Sequence, residues 1–575
     1  MTQEDGIKIV HDIIRNAWRH KNYKRTVDLA QEYKTFITGE GIEEYLKHFN
    51  IREDNKDFNL RKEVTVNITE AATANLIDPQ YKLPRSNSID REFVYTDADV
   101  EKHRAMTLIK SHFWEGSRSV EDYMGSAWIE LNNLDPNTFV VIDWKTNENG
   151  QRIKPYPVEY PAEQVYHFNK KSGVLQWVLL HRDAEGADPE MYLLYTKEFT
   201  IIFTRVEDVE WKNHDADVMF YKEFPVTKYE GVDGVIKIGD EKNTSTYYNI
   251  NILKPHNLGF VPGLFVGFVS DLTNRTTYLS PISKAFPYLK KVVKLNSEFD
   301  ITTSKHAFPQ KVQYANPCPD CNNGKTREGT VCGACGGSGT DPRDTHETGL
   351  DVMKIPRPRD AQDLMDLSKL IHYVPADVRI PRFQFETLEN LLKKSKEAVY
   401  NSVVYSTKEF TETAYSKNVD LQHVYDALWP MAKAFERAYN FIIECLAKIT
   451  DLDENLVHQL KFRKDFKMKS PTDLYNDLVL VTQSKASEFV KQNIEDDLAE
   501  VIYEGYPREL LKYKTQKHFY PFNGKSGDEI QMIVTSPNMC SPEVKILWAN
   551  FSFLFDEIEL EFAKKKIDFY MLPMG

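Results

Sequence analysis

Cys318-Pro319-Asp320-Cys321 and, after ten further residues, Cys332-Gly333-Ala334-Cys335 form two C-x-x-C motifs in the middle of this 575-residue chain. Two such motifs at this separation can bring four thiolates to one tetrahedral metal ion, with Zn–S bonds of about 2.3 Å. Glycines flank both motifs and let the backbone turn tightly around an ion (Gly324, Gly333, Gly336 and Gly337). We therefore predict one zinc ion per chain, held by Cys318, Cys321, Cys332 and Cys335. Because four thiolates leave no open position for water, the ion is expected to be structural.

The composition is that of a large globular protein. It is 41% hydrophobic and 28% charged, with a formal net charge of −13, and it contains six cysteines. The negative charge argues against broad wrapping of nucleic acid, although DNA could still slide through a channel. Few cysteines outside the two motifs favour a reducing compartment. The sequence has no secretory signal and no apolar run of membrane-spanning length, so we expect a protein without membrane contact, made in a cytosol.

Hydrophobic periodicity predicts an α+β fold. The N-terminal part carries helical apolar spacing, as in Ile7, Val10, Ile13 and Trp18, whereas short β-type runs such as 174–180 and 200–204 follow it. We divide the chain into a mostly helical segment 1–135, a β-rich segment 136–277, a helix within 278–305, the cysteine-containing segment 306–382, a second helix in 383–401, a polar loop 402–418, a long helix with further helices in 419–505, and a mixed segment 506–575.

Three local features give this order of elements a family resemblance. One is the turn His256-x-x-Gly259-x-x-Pro262 before an apolar strand, and another is Tyr278-Leu279-Ser280-Pro281-Ile282 leading into a helix. The third is the run from Glu386 to Ser402 followed by the polar loop. Together they resemble the tailed-bacteriophage portal protein, the head-to-tail connector ring through which the genome enters and leaves the capsid. The resemblance covers roughly residues 60–505, and the order of elements carries more of it than any single motif. The cysteine motifs are a departure, since many portal proteins lack them.

The resemblance implies a role for each segment. Residues 1–135 and 136–277 would form the outer wing, and 278–305 and 383–401 the two stem helices. Residues 306–382 would be the clip, the part that faces out of the capsid, with a zinc ribbon at 318–335. Residues 402–418 would be the tunnel loop, and 419–505 the long helix with part of the wing and crown.

The resemblance also implies partners and a location. The protein would form a homo-oligomeric ring, a dodecamer in the family, at one vertex of the virion. The ring would contact capsid protein, bind the terminase large subunit and then a tail adaptor at the clip, and pass double-stranded DNA through its channel. Assembly would occur in the cytoplasm of a bacterial host, and the protein would not be an enzyme.

Candidate DNA-tunnel residues lie on the second stem helix and in the polar loop: Lys393, Lys394, Lys396, Thr407, Lys408 and Thr411. Lysines there could place rings of positive charge in a channel, and hydroxyl groups could touch DNA without strong ion pairing. An ordinary solvated helix face and a surface loop explain the same residues without any DNA contact.

Two other functions compete with the portal interpretation. One is a zinc-ribbon nucleic-acid-processing enzyme or accessory factor, which would need a carboxylate constellation or a complete nucleotide loop. Gly524-Lys525-Ser526 looks like the end of such a loop, but Phe519 stands where its first glycine is required, so we predict a turn there. The other is a chaperone-like adaptor, because Cys335-Gly336-Gly337-Ser338-Gly339 resembles the flank of chaperone zinc fingers. The His-Pro-Asp signature of a J-domain is absent from the sequence.

Overall fold

The computed structural model is an α+β protein, as the sequence predicts. It describes residues 1–46, 53–86, 89–95, 100–115, 118–146, 152–186, 188–206, 218–221, 224–229, 232–239, 245–252, 256, 258–306, 310–314, 316–342, 353–355, 372–374, 378–401, 414–452, 456–463, 471–483, 488–503, 506–523, 525, 527–536, 539–565 and 569. No described helix combines the length and the apolar character that crossing a lipid bilayer requires.

The first third of the chain is helical and then changes to strands. Its elements are α1 Gln3–Arg15, α2 Tyr23–Thr38, α3 Asn55–Val64, α4 Thr69–Ile77, β1 Ile89–Tyr95, α5 Val100–Ser111, α6 Val120–Gly125 and α7 Ala127–Leu134. The strands that follow are β2 Phe139–Thr146, β3 Arg152–Tyr160, β4 Val165–Lys171, β5 Val174–Arg182, β6 Met191–Thr196, β7 Thr200–Val206, β8 Val218–Tyr221, β9 Phe224–Tyr229, β10 Val232–Gly239, β11 Ser245–Ile252, β12 Gly263–Phe265, β13 Val269–Ser270 and β14 Tyr278–Leu279.

The remainder is mainly helical. It contains α8 Phe286–His306, β15 Gln310–Tyr314, β16 Met353–Ile355, β17 His372–Val374, α9 Arg379–Tyr400, α10 Ala414–Ile449, β18 Leu456–Phe462, α11 Pro471–Gln483, α12 Glu488–Ile502, α13 Pro507–Phe519, α14 Gly527–Thr535, α15 Pro542–Ala549 and α16 Phe551–Lys564.

The chain divides into two compact units. One contains residues 1–33, 77–281 and 411–575, and the other contains residues 34–76 and 282–410. Residues 34–76, which lie in the predicted segment 1–135, belong to the unit that holds α8, α9 and the cysteines.

The core of the first unit is an antiparallel sheet of order β4-β5-β6-β7-β11-β10-β9-β8. Alternate residues of β5 point to opposite faces, as a strand requires. Leu179 packs with Ile7 and Val10 of α1 on one face, and Val178 packs with Val141 of β2 on the other. Because both faces are covered, β5 reads as a nearly continuous apolar run rather than an alternating one.

Helix α1 begins at a capping box in which Thr2 and Asp5 satisfy each other's backbone N–H groups. The predicted apolar stripe is confirmed for Ile7, Val10 and Ile13, which are buried. Trp18 lies beyond the end of α1 and is 55% exposed, so it does not belong to the stripe.

Several predicted boundaries need correction. Helix α8 begins at Phe286, after the short strand β14, and α9 begins at Arg379, four residues before the predicted start. Helix α10 begins at Ala414, so residues 414–418 of the predicted loop are helical, and residues 402–413 lie outside the described part of the chain. The segment 506–575 was predicted to be mixed, but its described elements are helices. Strand β1 was missed because it pairs with β18, more than 360 positions away.

Candidate metal centre

The four cysteines lie together, although they come from two turns separated by ten residues. Their Sγ atoms all lie within 4.8 Å of one another, and the Sγ atoms of Cys321 and Cys335 are 3.5 Å apart. Cys318 and Cys332 are buried, whereas Cys321 and Cys335 are partly exposed. One cysteine of each motif therefore faces inward and the other lies near the surface.

Backbone hydrogen bonds hold the two motifs against each other. The N–H of Cys332 donates to the carbonyl of Gly324 at 2.9 Å, and the N–H of Cys318 donates to the carbonyl of Gly339 at 3.0 Å. A β-bridge between Pro317 and Thr340 closes the base of the segment. We call residues 316–342, which include the four cysteines and these pairings, the cysteine ribbon.

Close approach of the two turns requires glycine at Gly324. Its φ is +86°, in the left-handed region, and an added Cβ would collide with the carbonyl oxygen of Gly337. Gly337 itself has a φ of +85°. Gly333, which was also predicted to allow a tight turn, has open space around it and no positive φ, so the backbone conformation there does not require glycine.

The sulfur positions fit a tetrahedral ion. Four ligands at about 2.3 Å in a tetrahedron place their sulfur atoms about 3.8 Å apart, close to the observed separation of 3.5 Å between Cys321 and Cys335. The donor set also fits, since four thiolates are typical of a structural zinc site. The structure thus brings together all four residues that the sequence predicted as ligands.

The electrostatics of the sulfurs show why a cation suits this site. Burial opposes the thiolate of Cys335, but backbone N–H groups of Gly339 and Gly337 and the neighbouring Cys321 thiol outweigh it and lower the pKa of Cys335 to about 6. Burial and the proximity of Cys335 raise the pKa of Cys321 to about 12. Sulfurs this close cannot all ionise without a compensating charge, which a divalent ion would supply.

A sulfur–backbone contact is the part of the site that sequence reasoning missed. The N–H of Gly339 donates to Sγ of Cys335 at 3.3 Å, and Gly339 has a φ of +75°. The spacing Cys335-Gly336-Gly337-Ser338-Gly339 carried that signal, because a glycine four residues after a ligand can turn its amide back toward the sulfur.

The predicted tunnel residues are only partly within the described structure. Lys393, Lys394 and Lys396 all lie on α9, where Lys394 is exposed and the other two are partly buried. Burial lowers the pKa of Lys396. Thr407, Lys408 and Thr411 fall outside the described residues, and a role in a tunnel stays a prediction for all six.

No protein-family model matches the chain, and no curated protein matches it either.

Proposed function

We propose that this chain is a portal protein of a tailed bacteriophage, a non-enzymatic ring subunit at one capsid vertex. The observation that carries the proposal is a pair of packed helices, α8 and α9, that flank the cysteine ribbon in one compact unit. A β-rich region precedes this pair in the chain and the 36-residue helix α10 follows it. That order matches the wing, stem, clip, stem and long helix of the family that the sequence resembles.

Contacts between α8 and α9 indicate an antiparallel pair. The ring centroid of Phe299, in the second half of α8, lies 6.3 Å from that of Phe385, near the start of α9. The turn 283–285 before α8 also packs against α9. The chain between the helices therefore leaves and re-enters at the same end of the pair, which is where a clip would have to lie. Within it, β15 pairs with β16 and β17.

Exposed apolar side chains support a protein that assembles. At the start of α9, Val378 is 70% exposed and Phe383 is 69% exposed. The C-terminal helices expose more such residues, among them Leu480 of α11, Ile546 of α15 and Phe553 of α16. Exposed apolar groups that lie close together on a surface are typical of interaction sites, and Val378 and Phe383 are five positions apart in the chain. Neighbouring copies in a ring would cover them.

The cysteine ribbon would serve the clip as a structural staple. In this proposal, Cys318, Cys321, Cys332 and Cys335 hold one zinc ion, which fixes a segment too short to bury a core of its own. The ribbon carries three acidic and two basic side chains: Asp320, Glu328, Asp341, Lys325 and Arg327. A surface of this charge does not favour phosphate binding, and it suits contacts with the terminase large subunit or a tail adaptor.

The channel would be formed by elements from every copy. In the proposal, the stem helices with Lys393, Lys394 and Lys396 line it and the 402–418 loop projects into it, while the net charge of −13 per chain limits adhesion of the passing DNA. Capsid protein would surround the ring in the virion, after assembly in the bacterial cytoplasm.

Mass measurement of the purified full-length protein, combined with negative-stain microscopy, tests this proposal. Twelve chains of 66.8 kDa would give a particle of about 800 kDa with a central channel. A species that stays monomeric at every concentration, without rings in the micrographs, would refute the portal function. The variant Phe383→Asp adds a directed test, since it should weaken assembly, whereas Lys394→Asp on the same helix should weaken it less.

A further inference from the structure

A cavity of about 360 Å³ lies among the C-terminal helices, away from the cysteine ribbon in the sequence. It is formed by one side of α12, one side of α13, the turn after α13 and the start of α16. Its lining includes three lysines and four aromatic residues: Lys491, Lys517, Lys525, Tyr513, Tyr520, Phe522 and Phe551. This volume is in the range of small-molecule sites.

The lining of the cavity contains more lysines than carboxylates. Three lysines line it against one carboxylate, Glu495, in a chain of formal charge −13. Lys517 is held by Asp496, with Nζ 2.6 Å from Oδ1. Lys525 is exposed and makes no ion pair with any residue in the described part of the chain. Lys525 therefore offers positive charge to a ligand at this cavity.

The aromatic wall is fixed in place before any ligand arrives. The rings of Tyr520 and Phe551 pack edge to face, with their centroids 5.3 Å apart. The indole N–H of Trp548 donates a hydrogen bond to the Tyr520 hydroxyl at 2.9 Å. Phe522, also in the lining, is 8% exposed. Rings held in this way give a planar ligand a stacking surface at little cost in side-chain entropy.

Side-chain amides complete the lining. Nε2 of Gln492 donates to Oδ1 of Asn523 at 2.9 Å, which joins α12 to the turn after α13. Gln516 lies between Tyr513 and Lys517 on the cavity side of α13. Amide groups can both donate and accept hydrogen bonds, as the edge of a nucleobase requires.

We propose that this cavity binds a nucleotide unit, with the base on the aromatic wall and the phosphate at Lys525. Aromatic stacking combined with lysine contacts is how proteins hold single nucleotides and single strands. This is not a phosphate loop, because Phe519 replaces the required glycine and the N–H of Lys525 donates to the carbonyl of Phe522 at 3.1 Å. The nucleotide unit is either a free nucleotide or part of a nucleic-acid strand. The proposal does not depend on ring formation.

Calorimetric titration of the full-length protein tests the site. The ligands are dAMP, deoxyadenosine, inorganic phosphate and a five-residue oligo-dA strand. Binding of dAMP should be at least about tenfold tighter than binding of deoxyadenosine or of phosphate, because only dAMP makes both kinds of contact. Tighter binding of the strand than of dAMP identifies nucleic acid as the source, and equal or weaker binding identifies a free nucleotide.

Variants separate the cavity from general surface charge. Lys525→Ala lies in an exposed turn and should weaken dAMP binding about tenfold, with an unchanged circular dichroism spectrum. Lys514→Ala is the control, because Lys514 lies on α13 but is paired with Glu500 at 2.6 Å and is not in the cavity lining; it should leave binding unchanged. The proposal is overturned if no ligand binds at millimolar concentration, if phosphate binds as tightly as dAMP, or if both variants weaken binding equally.

Discussion

The sheet around β5 and the cysteine ribbon hold their backbones in place by different means. In β5, Val178, Leu179 and Leu180 are fully buried between two layers of apolar side chains. In the ribbon, the buried side chains are those of Cys318 and Cys332, while Val331 is 68% exposed. A 27-residue segment has too little apolar surface to form a core. The four clustered cysteines could bind a metal ion, and we propose that metal coordination takes the place of hydrophobic burial in the ribbon.

Loss of one zinc ligand should have the largest effect and should be confined to the ribbon. We expect Cys332→Ser to abolish stoichiometric zinc, because structural zinc sites in peptides contribute about 10–16 kcal/mol to folding. Metal analysis should fall from one ion per chain to none. Trypsin should then cut at Lys325 and Arg327, while the sheet around β5 stays resistant. Cys540→Ser, outside the motifs, is the control and should keep the zinc.

Truncating a buried side chain in the sheet should lower the stability of the protein and leave its zinc content unchanged. Leu179→Ala removes a fully buried side chain from the cluster with Ile7 and Val10, and such cavities cost about 2–5 kcal/mol. Thermal unfolding should shift to a lower temperature while the zinc content stays at one per chain. Val174 is 53% exposed on the same strand, so Val174→Ala should shift the unfolding temperature much less. A loss of zinc in Leu179→Ala would contradict the claim that the sheet and the ribbon are stabilised independently.

The ribbon should be sensitive to backbone conformation rather than to apolar volume. Gly324→Ala forces a side chain into a left-handed conformation and against the Gly337 carbonyl, which we expect to cost about 3 kcal/mol. Competition with a chelator of known affinity should show weaker zinc binding. Gly333→Ala, where an added Cβ meets nothing within 4 Å, should bind zinc as the native chain does. Equal zinc affinity in all three proteins would contradict the close approach of the two turns.

Acid should lower the free energy of unfolding because it protonates a histidine, His20, that is buried in the folded chain. Burial, with a smaller contribution from His167, lowers the pKa of His20 from 6.5 to about 4. Between these values the unfolded chain binds a proton that the folded chain does not, so this contribution to stability is present above pH 6.5 and is lost as the pH falls toward 4. The expected loss is about 3 kcal/mol, because each pKa unit corresponds to about 1.4 kcal/mol.

His20→Phe keeps a ring beside Phe168 and removes the titration. Denaturant unfolding at several pH values should give a shallower fall in stability for this variant than for the native chain. Parallel curves for the two proteins would show that folding does not lower the pKa of His20.

The sequence predicted features that depend on local spacing and missed those that depend on distant contacts. The four ligands were predictable because each motif brings two sulfurs together by itself, and α8, α9 and α10 were predictable from their helical periodicity. Strand β1 was missed because Asp90, Arg91 and Glu92 interrupt its apolar pattern and its partner β18 lies far along the chain. The amide of Lys525 closes a turn with the carbonyl of Phe522, whereas Gly524 and Ser526 of the predicted turn lie outside the described residues. The position of Lys525 in a cavity depends on three helices that no local pattern relates.

Hydrogen exchange of the full-length protein, with and without a zinc chelator, tests the metal-dependent fold of the ribbon most directly. The amides of Cys318 and Cys332 donate hydrogen bonds inside the ribbon, whereas those of β5 and β6 lie in the sheet. Chelation should remove protection from peptides covering 316–342 and leave peptides covering 174–196 unchanged. Equal protection of the ribbon with and without the chelator would contradict the account.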